Sequence, residues 1–404
     1  MINIQDKKKC CGCSACEQVC PKGCIQMVAD HEGFLYPKVD TSVCIDCHLC
    51  EKVCPVLNVE SEKERPQKGY IVQHKDEDIL RQSTSGGAFT AIASWVIEQG
   101  GVVFGAAYNK DFVVHHDWVE RVEELQRFRN SKYTQSEIRE TFQETKAFLK
   151  AGRIVLYSGT PCQLEGLLNF LKKDYENLIT IDVVCRACPS PFVFKKYLEM
   201  QGQKFGKSFE NVLFRDKYYG YGYSSMTIKT KERILYHEGI DTDPYLRAFF
   251  SEISIRPSCT ACKFRKRYRK TDFTIWDCFD IAKYSKDMNN DKGATKVLAH
   301  TERADAIMLR LKDRLKLCPA NPQQMLMLDG NNEIDIKLAQ NPMRREFFED
   351  LDILPSDEFF AKYFPVRMKN YVEKYIRIAT YKLGLYQVIK SLYVKMVGRE
   401  NLQR

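Results

Sequence analysis

The sequence predicts three parts in order: a small α+β head built round two cysteine runs, an α/β body, and a helical basic C-terminal tail. Three observations predict it. Ten of the 17 cysteines fall between Cys10 and Cys54, in two runs of one spacing. Apolar strand-like segments alternate with helix-formers from Tyr70 onward. From Arg367 to Arg404 there are nine Lys or Arg against two Glu, most of the net charge of +9. A length of 404 residues exceeds what one compact domain usually carries. With 44% hydrophobic and 28% charged residues the composition is that of a globular chain, which excludes a disordered, collagenous or coiled-coil protein. No apolar run is long enough to cross a bilayer. Met1 is followed by polar residues and Lys7-Lys8-Lys9 instead of an apolar core, so a cytoplasmic chain without a signal peptide is expected. In a reducing cytoplasm clustered thiols point to metal or redox chemistry, and an odd total forbids complete disulfide pairing. Because the positive excess sits in the tail, no nucleic-acid partner is expected.

In the head, Cys10, Cys13, Cys16 and Cys20 precede Pro21, and Cys44, Cys47, Cys50 and Cys54 precede Pro55, each run being Cys-x2-Cys-x2-Cys-x3-Cys-Pro. This is the spacing of bacterial two-cluster ferredoxins. A tight loop aims three thiolates at one cube of iron and sulfide. The fourth Cys is expected to open a helix that leads away and to ligate the other cube. One [4Fe–4S] cluster then takes Cys10, Cys13, Cys16 and Cys54, and the other Cys44, Cys47, Cys50 and Cys20. Structural zinc prefers paired Cys-x2-Cys, and radical S-adenosylmethionine chemistry needs Cys-x3-Cys-x2-Cys; neither pattern fits. Cys11 and Cys24 are surplus and read as non-ligands. Ile25 to Ala29 and Phe34 to Val39 read as a hairpin round His31-Glu32-Gly33.

Val59 to Lys68 is polar and reads as a linker. The body opens with a strand at Tyr70-Ile71-Val72. The loop Ser83-Thr84-Ser85-Gly86-Gly87 feeds a helix over Ala88 to Glu98, and its N–H groups suit a phosphate; an N-cap with tight packing fits equally. Val102 to Ala107, Ile154 to Gly159 and Leu178 to Val184 read as buried strands. Cys162 and Cys185 sit just past two strand ends, where ligands bind in α/β sheets. Cys259 and Cys262 would complete a set of four, with Cys188 a competitor for one place; from spacing alone, reduced structural cysteines remain the alternative. The basic run Lys263 to Lys270 reads either as a solvated loop or as an attractor for an anion. Cys278 and Cys318 read as packing residues. Gly202 to Ser208 imitates a P-loop but is one residue short. His115-His116 reads as exposed strand-end polarity, not a metal pair.

Taken in order, the head, Ser85-Gly86-Gly87-Ala88-Phe89-Thr90, Ser131-Lys132-Tyr133-Thr134-Gln135-Ser136, Gly159-Thr160-Pro161-Cys162-Gln163, Asp182-Val183-Val184-Cys185, Phe214-Arg215-Asp216-Lys217, Cys259-x2-Cys262 and Asp272-Phe273-Thr274 resemble the coenzyme F-420 hydrogenase/dehydrogenase beta-subunit family over roughly residues 1–300. That family also contains reductases of plant chlorophyll derivatives. The resemblance implies an α+β ferredoxin-like two-cluster head (1–58), a linker (59–68), an α/β flavin-binding body (69–340) and a helical basic tail (341–404). It implies FAD, with FMN the alternative, and a third [4Fe–4S] cluster on Cys162, Cys185, Cys259 and Cys262. It makes Ser85, Gly86, Gly87, Ser131, Lys132, Tyr133, Gln135, Ser136, Gly159 and Thr160 the flavin-pocket residues. The chain departs from the pattern at Cys185-Arg186-Ala187, where Cys-His-Gly is common, at Trp276-Asp277-Cys278-Phe279, where Gly-Asp-Phe-Trp is common, and at Asn130, a frequent glycine. Deazaflavin use is not implied, and many bacterial relatives stand beside surface-polysaccharide genes.

The expected chemistry is an iron–sulfur flavoprotein oxidoreductase. Clusters pass single electrons, and a flavin joins them to two-electron transfer at a substrate. Lys132, Arg215 and Lys217 are candidate holders of flavin phosphate or of an anionic substrate. The partner is a redox protein or a small electron carrier. Two other readings are an electron-transfer subunit without its own substrate site and a scaffold that has lost its cofactor. In the tail, Tyr371 to Val397 reads as a helix packed on the body or lying on anionic lipid at the inner membrane face.

Overall fold

The structure, a computed structural model, describes residues 1–206, 209–328 and 331–385. The head contains the hairpin β1 (Ile25–Ala29) and β2 (Leu35–Val39), antiparallel with Ile25 opposite Val39. Two four-residue helices, Ala15–Gln18 and Leu49–Lys52, follow left-handed residues Ser14 and His48. These helices hold the third cysteines, Cys16 and Cys50. Cys20 and Cys54 come after them and open no helix, contrary to the expectation. The reason is local: the Cys20 and Cys54 N–H groups close their turns on the carbonyls of Glu17 and Glu51.

The body is built on β3 (Lys68–His74), β4 (Val102–Tyr108), β5 (Val114–Val119), β6 (Val155–Gly159), β7 (Leu178–Val183), β8 (Asn211–Asp216), β9 (Ser225–Lys229), β10 (Ile234–Glu238), β11 (Phe273–Asp277), β12 (Thr295–Ala299) and β13 (Leu315–Ala320). One eight-stranded sheet runs β13-β3-β12-β11-β7-β6-β4-β5. Its middle, β11-β7-β6-β4, is parallel and its flanks are antiparallel. Val102, Val103, Phe104, Val155, Leu156 and Tyr157 are wholly buried, as continuous apolar runs covered on both faces must be. A smaller antiparallel sheet, β10-β9-β8, packs with the helices Pro191–Phe205, Pro244–Phe250, Arg344–Ile353 and Ser356–Tyr363 round an aromatic core that includes Tyr197, Phe214, Tyr245, Phe347 and Phe359. Gly202 to Phe205, the front of the P-loop imitation, lie inside a helix; Lys207 and Ser208 lie outside the described residues.

The head is wedged into this body. Phe34 belongs to the aromatic core, and Cys13, Ala15 and Val53 belong to the core beneath β4 and β6. The Gln18 side chain accepts from the Phe142 and Gln143 N–H groups at 3.0 and 3.3 Å. Glu32 and Arg344, both buried, form an ion pair, and Arg344 also donates to the carbonyls of Ile253 and Ile255. The segment before β3 has no regular structure but is strapped down: Glu62 accepts from the N–H groups of Arg267 and Tyr268 at 2.7 Å, and Glu60 pairs with Lys270 at 2.5 Å.

The last described helix, Met368–Lys382, packs through Asn370, Lys374 and Ile378, with Lys374 paired to Glu238 at 2.7 Å. It exposes Met368, Val372, Tyr375 and Ile376. The rest of the expected tail helix, 386–397, lies outside the described residues. No helix of the described residues is long and apolar enough to cross a membrane.

Glu32→Gln leaves the Arg344 guanidinium buried without its anion. Loss of one partner of such a pair costs about 3–5 kcal/mol, so the guanidinium chloride midpoint should fall well below that of the unaltered protein.

Candidate functional site

Parallel β4, β6, β7 and β11 end on one edge of the large sheet. Beyond that edge lies a cavity of about 780 Å³, within the range of cofactor sites. β6 ends at Gly159. Thr160 then caps the helix Pro161–Leu171 through a reciprocal box with Gln163. β7 ends at Val183, and the chain turns out through Val184 and Cys185 to the cavity wall. Asn130 has a φ of 66°, the left-handed region that asparagine tolerates. Its amide donates to the Arg215 carbonyl at 3.1 Å and accepts the Arg215 N–H at 3.2 Å, which accounts for Asn in place of glycine.

Of the expected pocket residues, Ser85, Gly87, Ser131, Lys132, Tyr133, Gln135, Ser136, Gly159 and Thr160 line the cavity. Gly86 does not. It is pressed between β3 and β12, where a Cβ would lie 2.2 Å from the Val72 carbonyl oxygen. Its N–H is spent on Thr295 Oγ1 at 2.8 Å and is not free for a phosphate. Gly87 begins the helix Ala88–Glu98 with a φ of 82° and no side-chain cap, so the first helical N–H groups open on the cavity.

The lining is strongly positive. Lys8, Lys9, Arg129, Lys132, Arg186, Arg215, Arg256, Lys263, Arg265 and Arg269 face the cavity against Asp6 and Asp277. Burial lowers Lys132 to about 7. Arg215 lines the cavity but is paired with Asp277 at 3.0 Å and donates to Tyr133 Oη at 3.2 Å. Lys217 is not an anion holder: its ammonium donates to the carbonyls of Leu80, Ser85 and Lys292 at 2.6–2.7 Å and fixes the Ser85 loop from behind. The basic run is no solvated loop, since Lys266 pairs with Glu165, Arg269 with buried Asp182, and Arg265 donates to three backbone carbonyls. His115 and His116 are buried within β5, not exposed at a strand end. His116 lines the cavity and lies within hydrogen-bond reach of Ser136 Oγ at 2.8 Å and the Ser158 carbonyl at 3.0 Å, and burial lowers it to about 4. Pairing patterns in the sequence carry no sign of this, because the burial comes from strands and loops distant in the chain.

In the head, Cys10, Cys13, Cys16 and Cys54 are buried, with Cys16 in the field of Cys10 and Cys54, and Cys13 in that of Cys16 and Cys54. Cys20, Cys44 and Cys47 are partly or fully exposed, and Cys50 is buried. Cys24 touches this second group, its sulfur 3.4 Å from Cys20 Sγ. On the cavity wall stand Cys162, Cys185, Cys188, Cys259 and Cys262. The Cys185 thiol is raised by burial and by Cys259, Cys162 and Cys262 beside it. The Cys188 N–H donates to Cys259 Sγ and the Phe264 N–H to Cys262 Sγ, each at 3.4 Å, and N–H···S bonds of this kind tune cluster potentials. Cys11, read as surplus, stands between the two sets, with Cys13 and Cys162 both acting on its buried thiol. Its only sequence signal is the doublet with Cys10.

Residues 152–323 match the family defined by the C terminus of the coenzyme F420 hydrogenase/dehydrogenase beta subunit, and residues 9–58 match a 4Fe-4S dicluster domain. None of the curated proteins matches the chain. Among solved structures, a chain of the xenon-derivatized F420-reducing [NiFe] hydrogenase complex from Methanosarcina barkeri is similar at 12% identity and a TM-score of 0.41, covering 76% of this chain and 95% of that one.

Lys132 carries charge below about 7 and loses it above. The pyrophosphate affinity of the unaltered chain relative to that of Lys132→Arg, followed by calorimetry, should therefore fall as pH rises through that value. The ratio cancels the ionisation of pyrophosphate itself, because the Arg cation does not titrate there.

Proposed function

Starting from a chain of the coenzyme F420 hydrogenase/dehydrogenase beta-subunit family that carries a 4Fe–4S dicluster domain, we propose an iron–sulfur flavoprotein oxidoreductase. Its head holds two [4Fe–4S] clusters on Cys10, Cys13, Cys16 and Cys54 and on Cys20, Cys44, Cys47 and Cys50. A third sits on Cys162, Cys185, Cys259 and Cys262, and FAD or FMN occupies the cavity beside an anionic substrate. The observation that carries this reading is that the two cysteine sets adjoin: Cys11, on whose thiol both Cys13 and Cys162 act, lines the same cavity as Cys162, Cys185, Cys259 and Cys262. When bound, the flavin supplies the exchange between single electrons and a hydride.

The residues of the chain divide the work. The N–H groups at Gly87 to Thr90 suit a diphosphate, and the Lys132 ammonium, which donates to the Arg129 and Asn130 carbonyls at 3.2 and 3.3 Å and lines the cavity, adds charge beside them. Arg129 keeps further positive charge on the same wall for an anionic substrate, whereas Arg186 there is paired with Glu252 at 2.8 Å. Exposure of Cys47, against burial of Cys10, Cys13, Cys16 and Cys54, supports electron exchange with a redox partner at the Cys20–Cys44–Cys47–Cys50 end. The exposed apolar residues Met368, Val372 and Ile376 support contact of the tail with an anionic membrane, in keeping with a role in surface-polysaccharide metabolism.

Anaerobically purified protein should contain about twelve iron atoms, as three four-iron clusters require, with one flavin. Cys259→Ala should lose about a third of the iron and only the body cluster's paramagnetic signal. About eight iron atoms without flavin would instead favour an electron-transfer subunit with no substrate site.

A further inference from the structure

Arg256 is among the largest fully buried side chains, 1% exposed, and no carboxylate pairs with it among the described residues. Its donors go to neutral oxygens: Nε to the Cys10 carbonyl at 2.8 Å, Nη1 to Gln135 Oε1 at 3.0 Å, and Nη2 to the Leu35 carbonyl at 2.9 Å. The guanidinium lies 4.3 Å from the Tyr36 ring centre. Its backbone holds the other cysteine set, for the Arg256 N–H donates to the Cys188 carbonyl at 2.8 Å and its carbonyl accepts the Cys259 N–H at 2.9 Å. A buried cation with no carboxylate is costly unless another anion faces it. Arg256 stands in the field of Cys10, Cys11 and Cys188, and its charge acts in turn on the Cys162 and Cys259 thiols.

We propose that Arg256 is the shared counter-cation of the inner head cluster and the body cluster, raising the reduction potential of both. This rests on the reading that both cysteine sets hold [4Fe–4S] clusters. Each such cluster gains negative charge when it accepts an electron, with no bond made or broken, so a fixed cation beside it favours the reduced form. The outer head cluster, on Cys20, Cys44, Cys47 and Cys50, lacks this contact. Arg256 is a positioning residue: it also lines the cavity, but its three side-chain hydrogen bonds all go to oxygens of the chain itself.

The test is a potentiometric titration of anaerobic holoprotein followed by electron paramagnetic resonance, on the iron-loaded fraction of Arg256→Gln, Arg256→Lys and the unaltered chain. Arg256→Gln keeps a donor amide and drops the charge; its inner-cluster and body-cluster midpoints should shift to more negative values while the outer-cluster midpoint holds. Arg256→Lys keeps the charge and should leave all midpoints near those of the unaltered chain. Unmoved midpoints in Arg256→Gln, equal shifts in both variants, or complete loss of iron in both would overturn the assignment and leave Arg256 as a folding latch. If the unaltered protein holds only about eight iron atoms, the body-cluster reading fails separately, and the inner head signal still decides the role of Arg256.

Discussion

A positive charge at Arg256, 1% exposed and paired with no carboxylate among the described residues, ties four segments that the chain keeps far apart. The first cysteine loop enters through the Cys10 carbonyl, the hairpin through Leu35, the cavity wall through Gln135, and the Cys259 turn through the Arg256 backbone itself. Space at this junction is so short that residue 12 must be glycine. Its φ is +70°, and a Cβ there would lie 2.6 Å from Gln135 Nε2 and 2.8 Å from Arg256 Nη1. Head and body are therefore one folding problem, with hydrogen bonds to carbonyls doing what a linker could not.

The cavity follows from strand direction. Four parallel strands bring four C-terminal ends to one edge, and each end releases a loop that must find new partners. Lys217 and Asn130 secure the loops from outside, and Gly86 lets one of them press against the sheet. What remains facing inward is the part of each loop with spare donors. Positive charge accumulates there because acids such as Glu60, Glu165 and Asp182 are spent on the basic run behind it.

Local rules made part of this legible. Cysteine spacing encodes a loop within a dozen residues and buried strands show as continuous apolar runs, so the two cysteine runs, the hairpin, β3, β4, β6 and β7 are legible in the chain, while β5 and β8 to β13 are not. The surprises came from contacts between distant residues. Glu32 meets Arg344 across 312 positions and Cys11 meets Cys162. His116 and Lys217 were misread because their partners come from other strands and loops. The fourth cysteines differ for a nearer reason: the N–H groups of Cys20 and Cys54 close the turns of the short helices before them, on the Glu17 and Glu51 carbonyls.

The unequal burial of the head cysteines also sets an order of decay in air. A cluster on Cys20, Cys44, Cys47 and Cys50 meets dissolved oxygen through the exposed Cys47, while one on Cys10, Cys13, Cys16 and Cys54 is shielded by the body. On the proposed assignment, damage would begin at the outer end. A protein handled carelessly would then keep its inner cluster and lose the exposed one, looking intact by fold and by most of its iron.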